Sequence, residues 1–95
     1  MSGLSFSDFV ELNRGIASEM GDDPFLPAIV DLDAGRMSML GELPDQDAMP
    51  GAVRDWASEI GATNFFLAYR NGGEIVIEKQ MNGQLVETVS IVIPN

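Results

Sequence analysis

The chain contains no cysteine and no histidine among its 95 residues. Without cysteine, disulfides, thiolate metal sites and thiol redox chemistry are excluded. Without histidine, the chain lacks the side chain that most often acts as a general acid or base near neutral pH. A serine or threonine nucleophile would need lysine, aspartate or a chain terminus to activate it. These absences favour a binding protein over an enzyme, and we expect no catalytic residue and no cofactor.

Positive charge is also scarce, because five basic residues face fifteen acidic ones and the formal net charge is −10. The only lysine, Lys79, has no Ser-x-x-Lys spacing, and no glycine-rich segment continues into the Lys-Ser/Thr pair of a phosphate-binding loop. A field of this sign repels nucleic acid and anionic membrane surfaces, and it attracts basic partners. We therefore expect no direct nucleic-acid binding. Plain solubility is the alternative explanation for the acids.

Long apolar runs are missing as well. No segment approaches the roughly 18 to 20 apolar residues that a membrane span needs. The first fifteen residues lack the basic start and apolar centre of a signal peptide. We therefore expect a cytoplasmic protein that does not bind membranes.

The residues that are present predict one α+β domain over residues 1–95, with the order α-β-β-α-β-β-β. Ser7 is the expected N-cap of the first helix. Asp47 or a neighbour begins the second helix, with Pro50 in its first turn and Gly61 at its end. The expected helices cover about 7–20 and 47–61, and the expected strands cover 28–33, 36–41, 64–70, 74–80 and 84–93.

The expected sheet is antiparallel and five-stranded, with both helices packed on one face. Asn82-Gly83 is a strong hairpin signal that pairs Met81 with Gln84, and it predicts the further pairs Ile77–Thr88 and Glu78–Glu87. If residues 71–73 form a three-residue loop, the covered face carries Phe65, Leu67, Tyr69, Ile75, Ile77 and Val86. The opposite face carries Phe66, Val76, Val89 and Ile91, and this apolar patch predicts an interface.

Acidic side chains are the candidate partner-binding residues. Some would lie in turns and loops, and others would share one face of the last hairpin. The candidates are Asp22, Asp23, Glu42, Asp45, Asp47, Glu74, Glu78 and Glu87.

A calcium site is a weaker interpretation of the segment that starts at Asp31. Asp31, Asp33 and Glu42 match positions one, three and twelve of an EF-hand loop, but Arg36 stands where that loop needs glycine. A β-turn that begins with Asp33 and contains Gly35 explains the same residues. We therefore expect no metal site.

Together these observations predict a small acidic module that binds a protein partner with a basic surface, as an inhibitor, an antagonist or a chaperone-like partner would. It would be steered by charge and held by an apolar patch. One alternative is a self-assembling subunit, for example a homodimer joined through the edge of the last strand. A second alternative is a metal- or carboxylate-dependent enzyme.

Overall fold

The computed structural model describes residues 5–20, 25–40 and 48–93. They form two helices and five strands in the predicted order α-β-β-α-β-β-β. The elements are α1 (Phe6–Met20), β1 (Ala28–Asp31), β2 (Arg36–Met39), α2 (Met49–Glu59), β3 (Asn64–Asn71), β4 (Glu74–Met81) and β5 (Gln84–Val92). No helix in these ranges is both long enough and apolar enough to cross a membrane.

The five strands form one antiparallel sheet in the order β2-β1-β3-β4-β5. The predicted α+β class and the antiparallel five-stranded sheet are therefore confirmed. β3, the first strand of the C-terminal meander, pairs with β1, so the N-terminal hairpin joins the same sheet. The outer strands β2 and β5 have no neighbour on their outer sides within the described chain.

The two helices pack on opposite faces of the sheet, so the expectation that both share one face is wrong. The apolar residues of α1 pack with Val30, Phe66 and Ile77. Those of α2 pack with Ile29 and with alternate residues of β3 and β4. Successive strand residues point to opposite faces, which places one helix on each side. The result is a three-layer arrangement, and we name the two sides the α1 face and the α2 face.

The turn between β3 and β4 explains why the sequence analysis assigned strand side chains to the wrong faces of the sheet. Asn71 pairs directly with Glu74, so the connection is the two-residue turn Gly72-Gly73 and not a three-residue loop. A change of one residue in register moves every later side chain to the other face. Accordingly, Tyr69 shares its face with Val76 and not with Ile75.

A bulge in β5 changes the second half of the last hairpin. Asn82 and Gly83 both have positive φ, as a type I′ turn requires, and Met81 pairs with Gln84 as predicted. The register then shifts between Gln80 and Lys79. Beyond the shift the pairs are Ile77–Val89, Glu78–Thr88 and Lys79–Glu87, so the predicted pairs Ile77–Thr88 and Glu78–Glu87 are wrong. A bulge adds one unpaired residue to a strand and so alters all pairing beyond it.

The apolar patch that was expected to form an interface does not exist as one surface. Phe66 and Ile91 are buried and Val89 is half-buried, all of them beneath α1. Val76 lies on the α2 face and is buried there. The helix thus covers most of the surface that the sequence left exposed.

The two helices begin within two residues of the expected positions, but their N-caps are not the expected residues. The hydroxyl of Ser5, and not of Ser7, accepts the Asp8 N–H at 3.1 Å and caps α1. The N-cap of α2 is Ala48, which offers no side-chain bond, and Asp47 lies outside the described residues. Gly61 has φ +77° and ends α2 as predicted, in a Schellman-type arrangement.

The turn between β1 and β2 starts at Asp31 and not at Asp33. An Asp31 carboxylate oxygen accepts the N–H groups of Asp33 and Ala34 at 3.1 and 3.2 Å. This is the local bonding of an Asx turn. Gly35 follows with φ +65°, a conformation that favours glycine.

The Gly72-Gly73 turn generates a test of the register. Gly72 has φ +64°, whereas the φ of Gly73 is not positive, and a Cβ on either residue would meet no atom within 4 Å. We expect Gly72→Ala to lower the free energy of unfolding by about 1 kcal/mol, because only backbone strain opposes the new methyl group. Gly73→Ala is the matched control and should be neutral or slightly stabilising. Urea unfolding followed by the fluorescence of Trp56 measures both, and equal losses would contradict the described turn.

Candidate functional site

Three of the eight predicted acidic residues lie within the described ranges, and these three do not share one surface. Asp22, Asp23, Glu42, Asp45 and Asp47 lie outside the described residues. Glu74 and Glu87 are exposed, but Glu74 aligns with the α2 face and Glu87 pairs with Lys79 on the α1 face. Glu78 also points to the α2 face and is only 2% exposed. The expectation that Glu74, Glu78 and Glu87 share one face is therefore wrong, and the bulge in β5 is the cause.

Glu78 is the centre of a buried polar cluster between α2 and the sheet. Its two carboxylate oxygens accept hydrogen bonds from Arg54 Nη2 at 2.6 Å and from Arg54 Nε at 3.3 Å. Gln80 Nε2 donates at 3.0 Å, and the Tyr69 hydroxyl donates over a longer 3.4 Å. Hydrogen bonding to Glu78 raises the pKa of Arg54, with burial opposing the shift. The carboxylate is thus fully engaged within the protein.

Tyr69 reports on the electrostatics of this cluster. Burial raises the pKa of its hydroxyl above the ordinary 10.0, and the negative charge of Glu78 raises it further. The positive charge of Arg54 acts in the opposite direction. The hydroxyl therefore stays protonated at neutral pH and can donate to Glu78.

This arrangement anchors α2 to the sheet through the bonds between Arg54 and Glu78. The guanidinium of Arg54 reaches down from the helix, and its side chain remains 47% exposed. A shallow depression of about 250 Å³ lies beside it, lined by Arg54, Ser58, Ala62, Phe65, Gln80 and Gly83. Because the acid is already paired with the arginine, the geometry indicates a structural ion pair.

A second feature, on the α1 face, is an apolar groove of about 370 Å³ between α1 and the β1–β2 hairpin. Its exposed walls are Leu12 and Ile16 on one side and Met37 and Met39 on the other, with Leu26 at the end. Its buried lining is Phe9, Asn13, Phe25 and Ala28. Five of the nine large apolar side chains that are exposed in the described chain lie here. A contiguous apolar patch of this kind is a candidate binding surface.

The groove exists because α1 covers only part of its face. Its main contacts are with β3, β4 and β5. Val30 of β1 is buried in the same cluster, whereas Met37 and Met39 of the edge strand β2 remain exposed. Leu12 and Ile16 fall at helical spacing with Phe9 and Met20, a pattern that predicts a shared buried stripe, but they are 45% and 42% exposed. The buried stripe is instead Phe9, Val10, Asn13, Ala17 and Met20.

Asn13 explains why Leu12 and Ile16 face the groove while the helix buries its other side. It is 2% exposed, and its side-chain amide donates to the Phe9 carbonyl oxygen at 2.7 Å. An amide that bonds to its own helix can be buried at little cost. Asn13 can therefore face the sheet, and Leu12 and Ile16 turn towards the groove. A signal for this was present in the sequence, since Val10 and Ala17 also fit a stripe centred on position 13.

Asp33, in the β1–β2 turn, accepts hydrogen bonds from residues at the start of β3. Asp33 accepts from Asn64 Nδ2 at 3.0 Å and from the Thr63 hydroxyl at 3.3 Å. Asn64 Oδ1 in turn accepts the Asn82 N–H at 3.0 Å. These bonds join three connecting segments at one end of the sheet. Within residues 5–20, 25–40 and 48–93, no three acidic side chains are grouped closely enough to hold a metal ion.

Comparison of the chain with protein-family models, with curated proteins and with solved structures finds no match. The function is therefore inferred from the geometry of the described residues. The apolar groove is the stronger candidate, because the Glu78 cluster is satisfied internally.

The Glu78 cluster generates a test of stability. We expect Arg54→Met to lower the free energy of unfolding by about 2 kcal/mol, because Glu78 stays buried and loses two hydrogen bonds. Water around the half-exposed arginine keeps the loss below that of a fully buried pair. The matched control is Arg14→Met, which breaks the exposed Arg14–Glu11 pair and should cost at most about 0.5 kcal/mol. Urea unfolding measures both.

A double variant separates the buried charge from the lost packing. Arg54→Met combined with Glu78→Gln should be more stable than Arg54→Met alone, because a neutral amide costs less to bury without its partner. A double variant that is less stable than either single variant would contradict this account.

The same cluster predicts a pH dependence. Because the pKa of Tyr69 is raised on folding, its contribution to stability is fully present below pH 10 and is lost as the pH rises through the folded-state pKa. Tyr69 is the only tyrosine, so tyrosinate absorbance titrates it directly. We expect Glu78→Gln to lower this pKa and Arg54→Met to raise it. Shifts in the same direction in both variants would contradict the assigned charges, and Trp56 fluorescence verifies that the protein remains folded.

Proposed function

We propose that this protein is a small acidic binding module that captures a basic, apolar segment of a partner protein in the groove between α1 and the β1–β2 hairpin. The observation that carries the proposal is the concentration of exposed apolar side chains at that one place. An inhibitor, an antagonist or a chaperone-like partner would act in this way, by occupying a surface that its target needs.

The apolar walls supply the affinity in this proposal. Leu12 and Ile16 stand opposite Met37 and Met39, and all four side chains are more than 40% exposed. Burial of such side chains is favourable by about 25 cal/mol per Å² of apolar surface. Methionine is flexible and polarisable, so two methionines on one wall can adapt to differently shaped partners.

The charges supply the preference for a basic partner. Asp8 lies four residues before Leu12, and Glu19 lies three residues after Ile16, so both acids neighbour the groove wall on the surface of α1. Both are exposed. With a net charge of −10, the protein would also attract basic partners from a distance at low salt.

A pull-down from the source cells with matched variants tests the proposal. We expect a stoichiometric basic partner that is released as salt rises, because screening weakens the attraction. Met39→Gln should weaken capture about tenfold or more by removing an apolar anchor. The control Val92→Gln changes an exposed apolar residue on β5, away from the groove, and should have no effect. Glu19→Gln should reduce capture at low salt more than Glu74→Gln does.

Equal capture by the Met39→Gln and Val92→Gln variants would contradict a role for the groove. Recovery of the protein alone, as an oligomer that is stable in salt, would contradict the basic partner and favour self-assembly instead.

The edge of β5 supports self-assembly as the second candidate function. Ile93 N–H donates to the Gly73 carbonyl oxygen at 2.8 Å, which fixes the alternation of the ladder. The main-chain groups of Thr88, Ser90 and Val92 therefore point outward and can pair with the same strand of a second copy. Such a dimer would be strengthened by salt, because two chains of charge −10 repel one another.

A further inference from the structure

We infer that two copies of the chain form a two-fold symmetric dimer through β5, in which Ser90 pairs with Ser90 of the second copy and Arg14 of each copy contacts Glu87 of the other. This inference rests on the second candidate function, self-assembly, and adds the register of the pairing and the charges that favour it. It is independent of the groove, because β2 and β5 are opposite edges of the sheet.

The edge of β5 lacks most of the features that keep edge strands from pairing. β5 is the longest of the five strands, at nine residues, and its sequence contains neither proline nor lysine. Folded proteins prevent edge pairing with short strands, with proline or lysine, or with bulges. The bulge of β5 lies at Val86, close to the hairpin turn, so residues 87–92 pair regularly with β4. Residues 87–92 therefore form a regular, open edge.

The main-chain groups of β5 that point away from β4 belong to Thr88, Ser90 and Val92. This alternation follows from the hydrogen bond that Ile93 N–H donates to the Gly73 carbonyl oxygen. With Ser90 on the two-fold axis, Thr88 of each copy lies opposite Val92 of the other. All three residues of each copy then exchange main-chain hydrogen bonds, about six in total.

Other registers use fewer of these groups. Moving the axis one residue towards the turn would place Val92 opposite Val86 of the second copy, the bulge residue that has no pair in β4. Moving it one residue towards the C-terminus would place Thr88 opposite Pro94, which has no N–H to donate. The register centred on Ser90 therefore forms the most main-chain hydrogen bonds.

The charges beside this edge are complementary between two copies. β5 carries a single charged residue, the exposed Glu87, which lies on the α1 face. In the register centred on Ser90, Glu87 lies opposite Ile93 of the second copy. Arg14 of that copy stands near the same end of the strand, where it lines a depression of about 480 Å³ together with residues 90–92. Each acid thus lies beside an arginine of the other copy, once on either side of the axis.

Arg14 can form this contact without losing the one that it already makes. Its Nε donates to Glu11 at 3.1 Å, and both side chains are more than half exposed. A guanidinium has further N–H groups on its two terminal nitrogens. These are the donors that Glu87 of the second copy would use.

The same pattern favours a second copy over an unrelated strand. A two-fold interface presents the same surface on both sides, so one chain must carry both members of each contact. The open edge does so, with Glu87 towards one end and Arg14 towards the other. It also carries Leu85, Val86 and Val92, three of the nine large apolar side chains that are exposed in the described chain. Pairing of two copies therefore balances the charges and shields Val92 from water.

Cysteine cross-linking tests the register directly, because the chain contains no cysteine of its own. Ser90→Cys places two thiols opposite each other with their Cα atoms about 5.5 Å apart, within the range of a disulfide. Mild oxidation should therefore convert this variant into a covalent dimer. Thr88→Cys is the matched control, because its two thiols would lie roughly 13 Å apart and should stay reduced. Equal cross-linking of the two variants would overturn the register.

Sedimentation equilibrium tests the dimer and its charges. Ser90→Pro removes an N–H that points away from β4, so the fold should persist while the dissociation constant of the dimer rises at least tenfold. Arg14→Gln and Glu87→Gln should each raise that constant about fivefold, and the double variant should raise it no further. The matched control Arg36→Gln removes an exposed arginine on the opposite edge and should have no effect.

The outcomes separate this dimer from the proposed groove. A chain that stays monomeric up to its solubility limit would overturn the dimer, and equal effects of Arg14→Gln and Arg36→Gln would overturn the charge contact. A monomeric protein whose capture of a basic partner is weakened by Met39→Gln would overturn the dimer and leave the groove intact. A cross-linked dimer whose partner capture ignores Met39→Gln would support the dimer and overturn the groove.

Discussion

The register of β3 against β4 decides which side chains each helix covers. Because Asn71 pairs with Glu74, the odd-numbered residues of β3 share the α2 face with the even-numbered residues of β4. Glu78 thereby comes to lie beneath Arg54, with Tyr69 as a further donor on the same face. A slip of one residue would bring Ile77 under α2 and move the buried carboxylate to the apolar side of α1. The core, the ion pair and the position of α1 all depend on this register.

One helix on each face leaves the edge strands β2 and β5 largely exposed, and the two exposed strands differ in chemistry. On the α1 face the edge strand β2 is exposed, and its Met37 and Met39 form one wall of the apolar groove. α2 leaves β5 exposed, where Thr88 and Ser90 are interspersed with apolar residues. A polar and apolar mixture is tolerated in water, whereas a continuous apolar groove invites a partner. This contrast supports the proposal of partner binding at the groove, with strand pairing at β5 as the alternative.

The sequence predicted local structure well and the side-chain faces poorly. The Asn82-Gly83 turn, the five strands and both helices follow from turn chemistry and periodicity, which act within a few residues. The faces depend on whether the second hairpin turn contains two residues or three, and Asn71-Gly72-Gly73 is compatible with both. The bulge in β5, opposite Lys79 and Gln80, adds a second shift of register that no sequence pattern indicated. The groove was missed because the burial of Asn13 depends on a hydrogen bond within its own helix.

The formal net charge overstates the acidic surface, because one of the acids is buried and paired. Glu78 contributes to the formal charge of −10, but Arg54 neutralises it inside the protein, so it neither steers a partner nor contacts one. The exposed acids produce the field, and this field acts over about 10 Å at ordinary salt. Attraction of that kind is not specific, since any basic protein would feel it. In the proposed function, selection among basic partners would therefore fall to the groove, because a partner needs an apolar surface to exclude water from it.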